Sequence, residues 1–176
     1  IGHGIGGHIG LEIAVKNPNC KTLTLSGVPL NKEADSSSGF YYISCVLAKL
    51  GLFSKFAKSM IMRKYSVTGL ERKPINAVLD KTLKHANINT VLKFARPTQY
   101  TIDHHRELLH RLRQPVLVIA GEHDEVVMPE DQRDVANLAK HGTFVQVTSG
   151  FMTFLTASAE CSRCWLQHKR ACAEKL

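Results

Sequence analysis

The feature that most constrains this chain is its first one: Gly2-His3-Gly4-Ile5-Gly6-Gly7, followed by the apolar run from Ile9 to Val15. A strand that turns sharply into a helix needs small residues around the turn, so that the two backbones can approach each other. Small–x–nucleophile–x–small is the pattern of such a nucleophile elbow, whose central residue is held in a strained conformation. Gly2 and Gly6 supply the small flanks, and Gly4 stands where a serine would be. The turn is present and the nucleophile is not. A phosphate-binding loop is the rival, but the lysine and Ser/Thr of GxxxxGK[ST] are missing. Gly2, Gly4 and Gly7 fit GxGxxG without a visible preceding strand, and a plain glycine-rich turn is the remaining alternative.

Two stretches far downstream decide between these. Gln114-Pro-Val-Leu-Val-Ile-Ala-Gly-Glu-His-Asp124 reads as a buried strand ending in a turn that presents an acid. Thr143 to Gly150 reads as a further strand, ending just before Phe151. With the glycine turn, these resemble the C-terminal part of the α/β-hydrolase fold superfamily. There a P-hydrophobic-G-x-x-D strand supplies the triad acid, and a later S-G-H turn supplies the histidine. The resemblance implies that Gly4 holds the nucleophile position, Asp124 the acid position and Phe151 the histidine position. It also makes the Ile5 backbone N–H one oxyanion donor, a role independent of the side chain at residue 4. The order Ser, Asp, His belongs to that superfamily, and the long interval between Gly4 and Asp124 suits a member with a cap domain.

The expected fold is therefore α/β, a partial α/β-hydrolase with the elbow helix, three late sheet strands and an inserted helical cap. Residues 1–30 and 107–176 make the core, and 31–106 the cap. The strand feeding the elbow is expected to be cut at Ile1, with the first strands of the fold and half the oxyanion hole outside these residues. The missing N-terminal part of the same fold, or another chain, is then an expected partner, because three strands would leave an apolar sheet edge.

In chain order, Ile5 to about Lys16 is predicted to be a helix, with Ile9, Ile13 and Val15 among its apolar positions, stopped by Asn17-Pro18-Asn19. Cys20 to Gly27 is a short β-rich run, and Ser26 at its end is either a turn serine or a substitute hydroxyl. Phe40 to Tyr65 is apolar and basic at helical spacing, with Gly51 breaking it in two; it reads as a cap helix with a small core of its own, as a lining for a lipid-like ligand, or as a membrane-surface helix. Shorter helices follow at Pro74 to Lys84 and Ile88 to Phe94. Asp103 to Leu112 is predicted to be helical with Asp103 as N-cap, and the adjacent His104 and His105 are expected on different sides. Pro129 suits the first position of a helix running to about Lys140, and Thr153 to Leu176 reads as a terminal helix.

The net charge of +8 raises nucleic acid or an anionic membrane as partners. The basic residues are scattered from Lys16 to Lys175 without interleaved aromatics, so a solvated surface is the expectation and no nucleic-acid partner. No 18-residue apolar stretch is present, which excludes a membrane-spanning helix. The odd count of five cysteines, Cys20, Cys45, Cys161, Cys164 and Cys172, fits thiols in a reducing, cytoplasmic setting. Cys161-Ser-Arg-Cys164 has no second CxxC, and even with His168 and Cys172 nearby no metal or other cofactor is expected.

A triad needs a nucleophile, an imidazole to take its proton and an acid to orient the imidazole. Glycine at 4 and phenylalanine at 151 remove the first two. The first expectation is a catalytically impaired hydrolase relative that binds an apolar small molecule or partner. The alternatives are an active ester, thioester or carbon–carbon hydrolase with a non-standard set drawn from residues such as His3 and His123, and a basic module for membrane or nucleic acid.

Overall fold

A computed structural model of the chain describes residues 1–30, 46–47, 52–64, 72–85 and 99–173. Its elements are β1 (Gly2–His3), α1 (Ile5–Lys16), β2 (Leu23–Ser26), α2 (Phe53–Lys64), α3 (Arg72–His85), α4 (Gln99–Arg111), β3 (Val116–Gly121), α5 (Pro129–Leu138), β4 (Gly142–Val147), α6 (Thr153–Thr156) and α7 (Ser158–Ala173). The fold is α/β, as the sequence predicts.

Four parallel strands lie side by side in chain order, β1-β2-β3-β4. Gly2 pairs with Leu25, Leu23 with Val116, and Val116 with Gly142. A strand covered on both faces has no need of alternation. Val116 to Gly121 is accordingly buried at every position. The sequence leads to three late strands; the structure adds β1, because even two residues before the turn reach the β2 edge in register.

Side chains of β3 alternate between two cores. Val116 and Val118 pack with Leu11, Ala14, Leu108, Leu109, Leu112 and Val135 under α1, α4 and α5. Leu117 and Ile119 face the other way, toward Cys161, with Phe154 and Trp165 packed beside them. The molecule is thus a helix–sheet–helix sandwich, with α7 on the face opposite α1.

α5 follows its sequence signals: Pro129 sits in its first turn with Glu130 and Asp131, which favour the positive end of the helix dipole. Two other segments differ from expectation. α4 starts at Gln99, so Asp103 lies inside the helix rather than capping it. The terminal segment is two helices, since Ala157 leaves helical geometry between α6 and α7. In α1 the inward residues are Gly7, Leu11 and Ala14, while Ile5, Ile9 and Ile13 are each about half exposed. Residues four apart share one helix face, so these isoleucines form a stripe on the flank left free. Ile9→Lys is expected to change unfolding free energy by less than about 0.5 kcal/mol while lowering concentration-dependent light scattering.

Of the expected cap, α2 and α3 are described and touch each other, with Lys58 Nζ donating to Asp80 Oδ1 at 2.6 Å. The predicted helix at Ile88 to Phe94, the Gly51 break and the Phe40–Leu50 part of the apolar run, apart from Val46 and Leu47, lie outside the described residues. No described helix is long and apolar enough to cross a membrane.

Candidate functional site

The C-terminal ends of the parallel strands gather the sequence landmarks at one edge of the sheet, the end at which open α/β sheets bind ligands. Gly4, between β1 and α1, has φ 53° and ψ −122°, a conformation that costs an L-residue strain. Its N–H donates to the Ser26 carbonyl at 3.0 Å, which ties the turn to the end of β2. A Cβ built on Gly4 would touch only the Gly27 carbonyl oxygen and Phe151 Cζ, both at 3.9 Å. Residue 4 therefore has room for a side chain, and that side chain would point at Phe151. The structure brings these two positions together.

The two glycine flanks differ. A Cβ on Gly2 would run into the Gly6 carbonyl oxygen and lie 2.6 Å from Gly7 Cα, whereas one on Gly6 meets nothing within 4 Å. Gly7, not Gly6, is the second crowded position, because a Cβ there would collide with Val28.

Phe151 belongs to a phenyl–imidazole stack. Its ring centroid is 4.6 Å from that of His3, and the His3 ring also meets Phe154 edge-on at 6.1 Å. Among the described residues neither ring nitrogen of His3 has a hydrogen-bond partner, and burial pushes the His3 pKa down. Burial thus favours the neutral ring, and no described acid orients it. Gly27, at φ 58°, completes the stack: a Cβ there would come within 2.9 Å of both Phe151 and His3. Ser26 is fully buried, and its Oγ has no hydrogen-bond partner among the described residues. The Ile5 N–H, in the first turn of α1, has no earlier helical carbonyl to bond, and the helix has no side-chain cap.

Asp124 is buried and fully engaged. Its Oδ1 accepts from the N–H groups of Val126 at 2.9 Å and Val127 at 3.0 Å. Its Oδ2 accepts from Gln132 Nε2 at 3.1 Å. Burial pushes the Asp124 pKa up, and these three hydrogen bonds pull it partly back. The turn carrying Asp124 is locked to the turn carrying Phe151, since a Cβ on Gly121 would strike the Gly150 and Ser149 carbonyls. His123 N–H donates to the Ser149 carbonyl at 2.9 Å, while its ring is exposed to solvent.

Gln132, which the sequence reading overlooked, is the hub of this edge. Its Nε2 also donates to the Val127 carbonyl at 2.9 Å, and its Oε1 accepts the Gly27 N–H at 2.6 Å across 105 positions of chain. It is 1% exposed. Gln132 precedes Val135 and Ala136 by three and four positions on the inward face of α5. A polar residue in phase with an apolar face is the signal that marks it.

His104 and His105 lie elsewhere, on α4 against α1. Both approach one carboxylate: Glu12 Oε1 is 2.9 Å from His104 Nε2 and 3.4 Å from His105 Nε2. His105 is buried while His104 is half-exposed, and Glu12 sits between their two directions. Among the described residues no group of three or more His, Cys, Asp or Glu is disposed to hold a metal ion. Cys161 is buried, and its thiol pKa is pushed up to about 11, chiefly by that burial.

A family model described as "Serine aminopeptidase, S33" matches residues 1–152. Among solved structures, the enol-lactonase from Burkholderia xenovorans superposes with a TM-score of 0.73 at 16% identity, over 96% of this chain and 64% of that one. A thermophilic esterase from Thermogutta terrifontis gives 0.75 at 16% identity, over 97% and 64%. A hydrolase from Pseudomonas aeruginosa gives 0.75 at 18% identity, over 95% and 62%. This chain thus spans somewhat less than two thirds of these structures. Among curated proteins none matches the sequence.

Proposed function

We propose, for a chain that belongs to the α/β-hydrolase superfamily and within it to the serine aminopeptidase S33 family, a binding role in which the serine-hydrolase reaction is lost. The observation that carries this reading is the facing pair Gly4 and Phe151. The position from which a nucleophile would attack lies 3.9 Å from a phenyl ring, measured from the Cβ direction, where an imidazole would take the proton. Neither residue can transfer a proton or form an acyl bond. The empty space at Gly4, bordered by Phe151, suits a small apolar group. The Ile5 N–H at the positive end of α1 still favours a carbonyl or carboxylate oxygen beside it. Residues 31–106 are the cap of this reading, and its described helices α2 and α3 pack on each other. The strands and helices that the solved structures carry beyond the shared part, supplied by further polypeptide of the same fold, complete the site. The free thiols of Cys20, Cys161, Cys164 and Cys172 support a cytoplasmic, reducing setting.

The test is turnover of p-nitrophenyl acetate by this chain and by a Gly4→Ser/Phe151→His variant. The chain itself is expected to match the buffer rate. The variant is expected to exceed it by about 10²-fold or more and to be labelled by a fluorophosphonate. Turnover by the unaltered chain, insensitive to fluorophosphonate, overturns the reading and turns attention to His3, whose ring nitrogens lack partners.

A further inference from the structure

We propose that the free edge of β4 joins a second copy of this chain, the two β4 strands running antiparallel across a two-fold axis through Phe144. Among the described residues β4 pairs with β3 alone and ends the sheet. It is the edge away from β1, so this pairing leaves open the side on which further polypeptide would complete the site.

The ladder to β3 decides which backbone groups are left over. The Val116 N–H donates to the His141 carbonyl and the Glu122 N–H to the Val147 carbonyl, each at 2.9 Å. A strand residue sends its N–H and C=O to one side, and its neighbours send theirs to the other. Residues 141, 143, 145 and 147 therefore bond to β3, and Gly142, Phe144 and Gln146 face outward. The Gly142 N–H donates to the Ala139 carbonyl at 3.2 Å, in the turn out of α5. What remains is the Gly142 carbonyl and both groups of Phe144 and of Gln146.

That set is self-complementary. With Phe144 opposite the Phe144 of a second copy, each Phe144 N–H meets the other's carbonyl. Each Gln146 N–H then meets the Gly142 carbonyl of the other chain, so every outward N–H finds an acceptor. The facing Phe144 rings add an aromatic cross-strand pair.

Nothing in the strand guards against this contact. Exposed edges are usually blunted by charge, proline or a bulge. Gly142-Thr143-Phe144-Val145-Gln146-Val147 has no charged residue and no proline, and its register with β3 is unbroken. Gly142, Thr143 and Gln146 are exposed, and Phe144 and Val145 are half-buried. The charges above the edge also suit a second copy. The Arg133 guanidinium lies 4.2 Å over the Phe144 ring. Glu130 precedes it by one turn on the same face of α5. The two-fold runs α5 antiparallel to its copy, so unlike charges at 130 and 133 oppose each other across the axis.

A single short edge buries less than a standard interface, and a dissociation constant of about 10–100 μM is expected. Sedimentation velocity of the unaltered chain between about 2 and 200 μM is expected to show one monomer–dimer equilibrium. Gln146→Pro removes an outward donor and no bond to β3, and Thr143→Lys sets a charge on the edge. Each is expected to weaken the dimer about 10-fold or more, and Thr143→Lys keeps the test decisive if Gln146→Pro fails to fold. In the unaltered chain the Phe144 and Gln146 amides are expected to exchange about 3-fold more slowly at the higher concentration, with Val145 and Val147 unchanged. A monomer throughout, a dimer that both variants leave intact, an association abolished by Ile9→Lys instead, or assemblies that grow without limit would each overturn the pairing.

Discussion

Gln132→Leu is expected to lose about 3–5 kcal/mol of unfolding free energy, read as a lower urea midpoint with an unchanged slope. The substitution keeps the side chain's approximate volume but removes an acceptor from the Gly27 N–H and a donor from both Asp124 Oδ2 and the Val127 carbonyl. All of these lie in a site where water does not replace the lost partners, so each orphaned group costs its desolvation rather than only the net value of a hydrogen bond. The pH dependence separates this from a simple packing loss. The Asp124 pKa is already raised by burial, and the Gln132 bond is one of the forces holding it down. Without that bond the folded-state pKa rises further above the unfolded value. A raised carboxyl pKa contributes stability below the unfolded value of 3.8 and loses it as pH climbs through the folded value. The deficit of Gln132→Leu is therefore expected to be smaller at pH 3.5 than at pH 7. A deficit independent of pH would mean that Asp124 does not feel Gln132.

Gly2→Ala and Gly6→Ala are expected to differ by more than 3 kcal/mol although both alter the same glycine turn. The Cβ of Gly2→Ala would overlap the Gly6 carbonyl and crowd Gly7, which only a backbone shift at the start of α1 relieves. Gly6→Ala meets nothing within 4 Å and replaces a poor helix former with the best one, so it is expected to gain about 0.5–1 kcal/mol. Thermal unfolding of the two variants beside the unaltered chain decides the matter. Equal effects would show that the close approach of β1 and α1 is not what the glycines serve.

This contrast also shows what the sequence made legible. Small flanks around Gly4 announce a tight strand-to-helix turn, and α1 occupies the predicted Ile5–Lys16. Which glycines are needed depends on where Val28 and the first helical turn come to lie, and that is tertiary information. The β3 strand was readable because a run such as Val116 to Ala120 has no polar position to break it. The outward isoleucines of α1 were not, because Ile at i, i+4 and i+8 looks like a core face. Only the glycines and Ala14 on the opposite side, small enough to let the helix lie close on the sheet, reverse the assignment. Gly4 and Phe151 were legible as positions, and their mutual approach follows from parallel strands that end on one edge. Gln132 is marked in the sequence only by its phase with Val135 and Ala136 on α5, and its partners Gly27 and Asp124 are set by the tertiary fold.

The strand order carries a consequence for assembly of the chain. β3 and β4 pair across the short span containing α5, whereas Leu23 of β2 must find Val116 across the whole of residues 31–106. Closing a long loop before any contact rewards it slows folding. The β3–α5–β4 unit is thus placed to form first, as a template whose open edge waits for the N-terminal residues. On a ribosome the order of synthesis is the reverse, since β1, α1 and β2 emerge before β3, the strand that β2 pairs with. The glycine turn that dominates the sequence is then joined to β3 and β4 only when that long loop has closed.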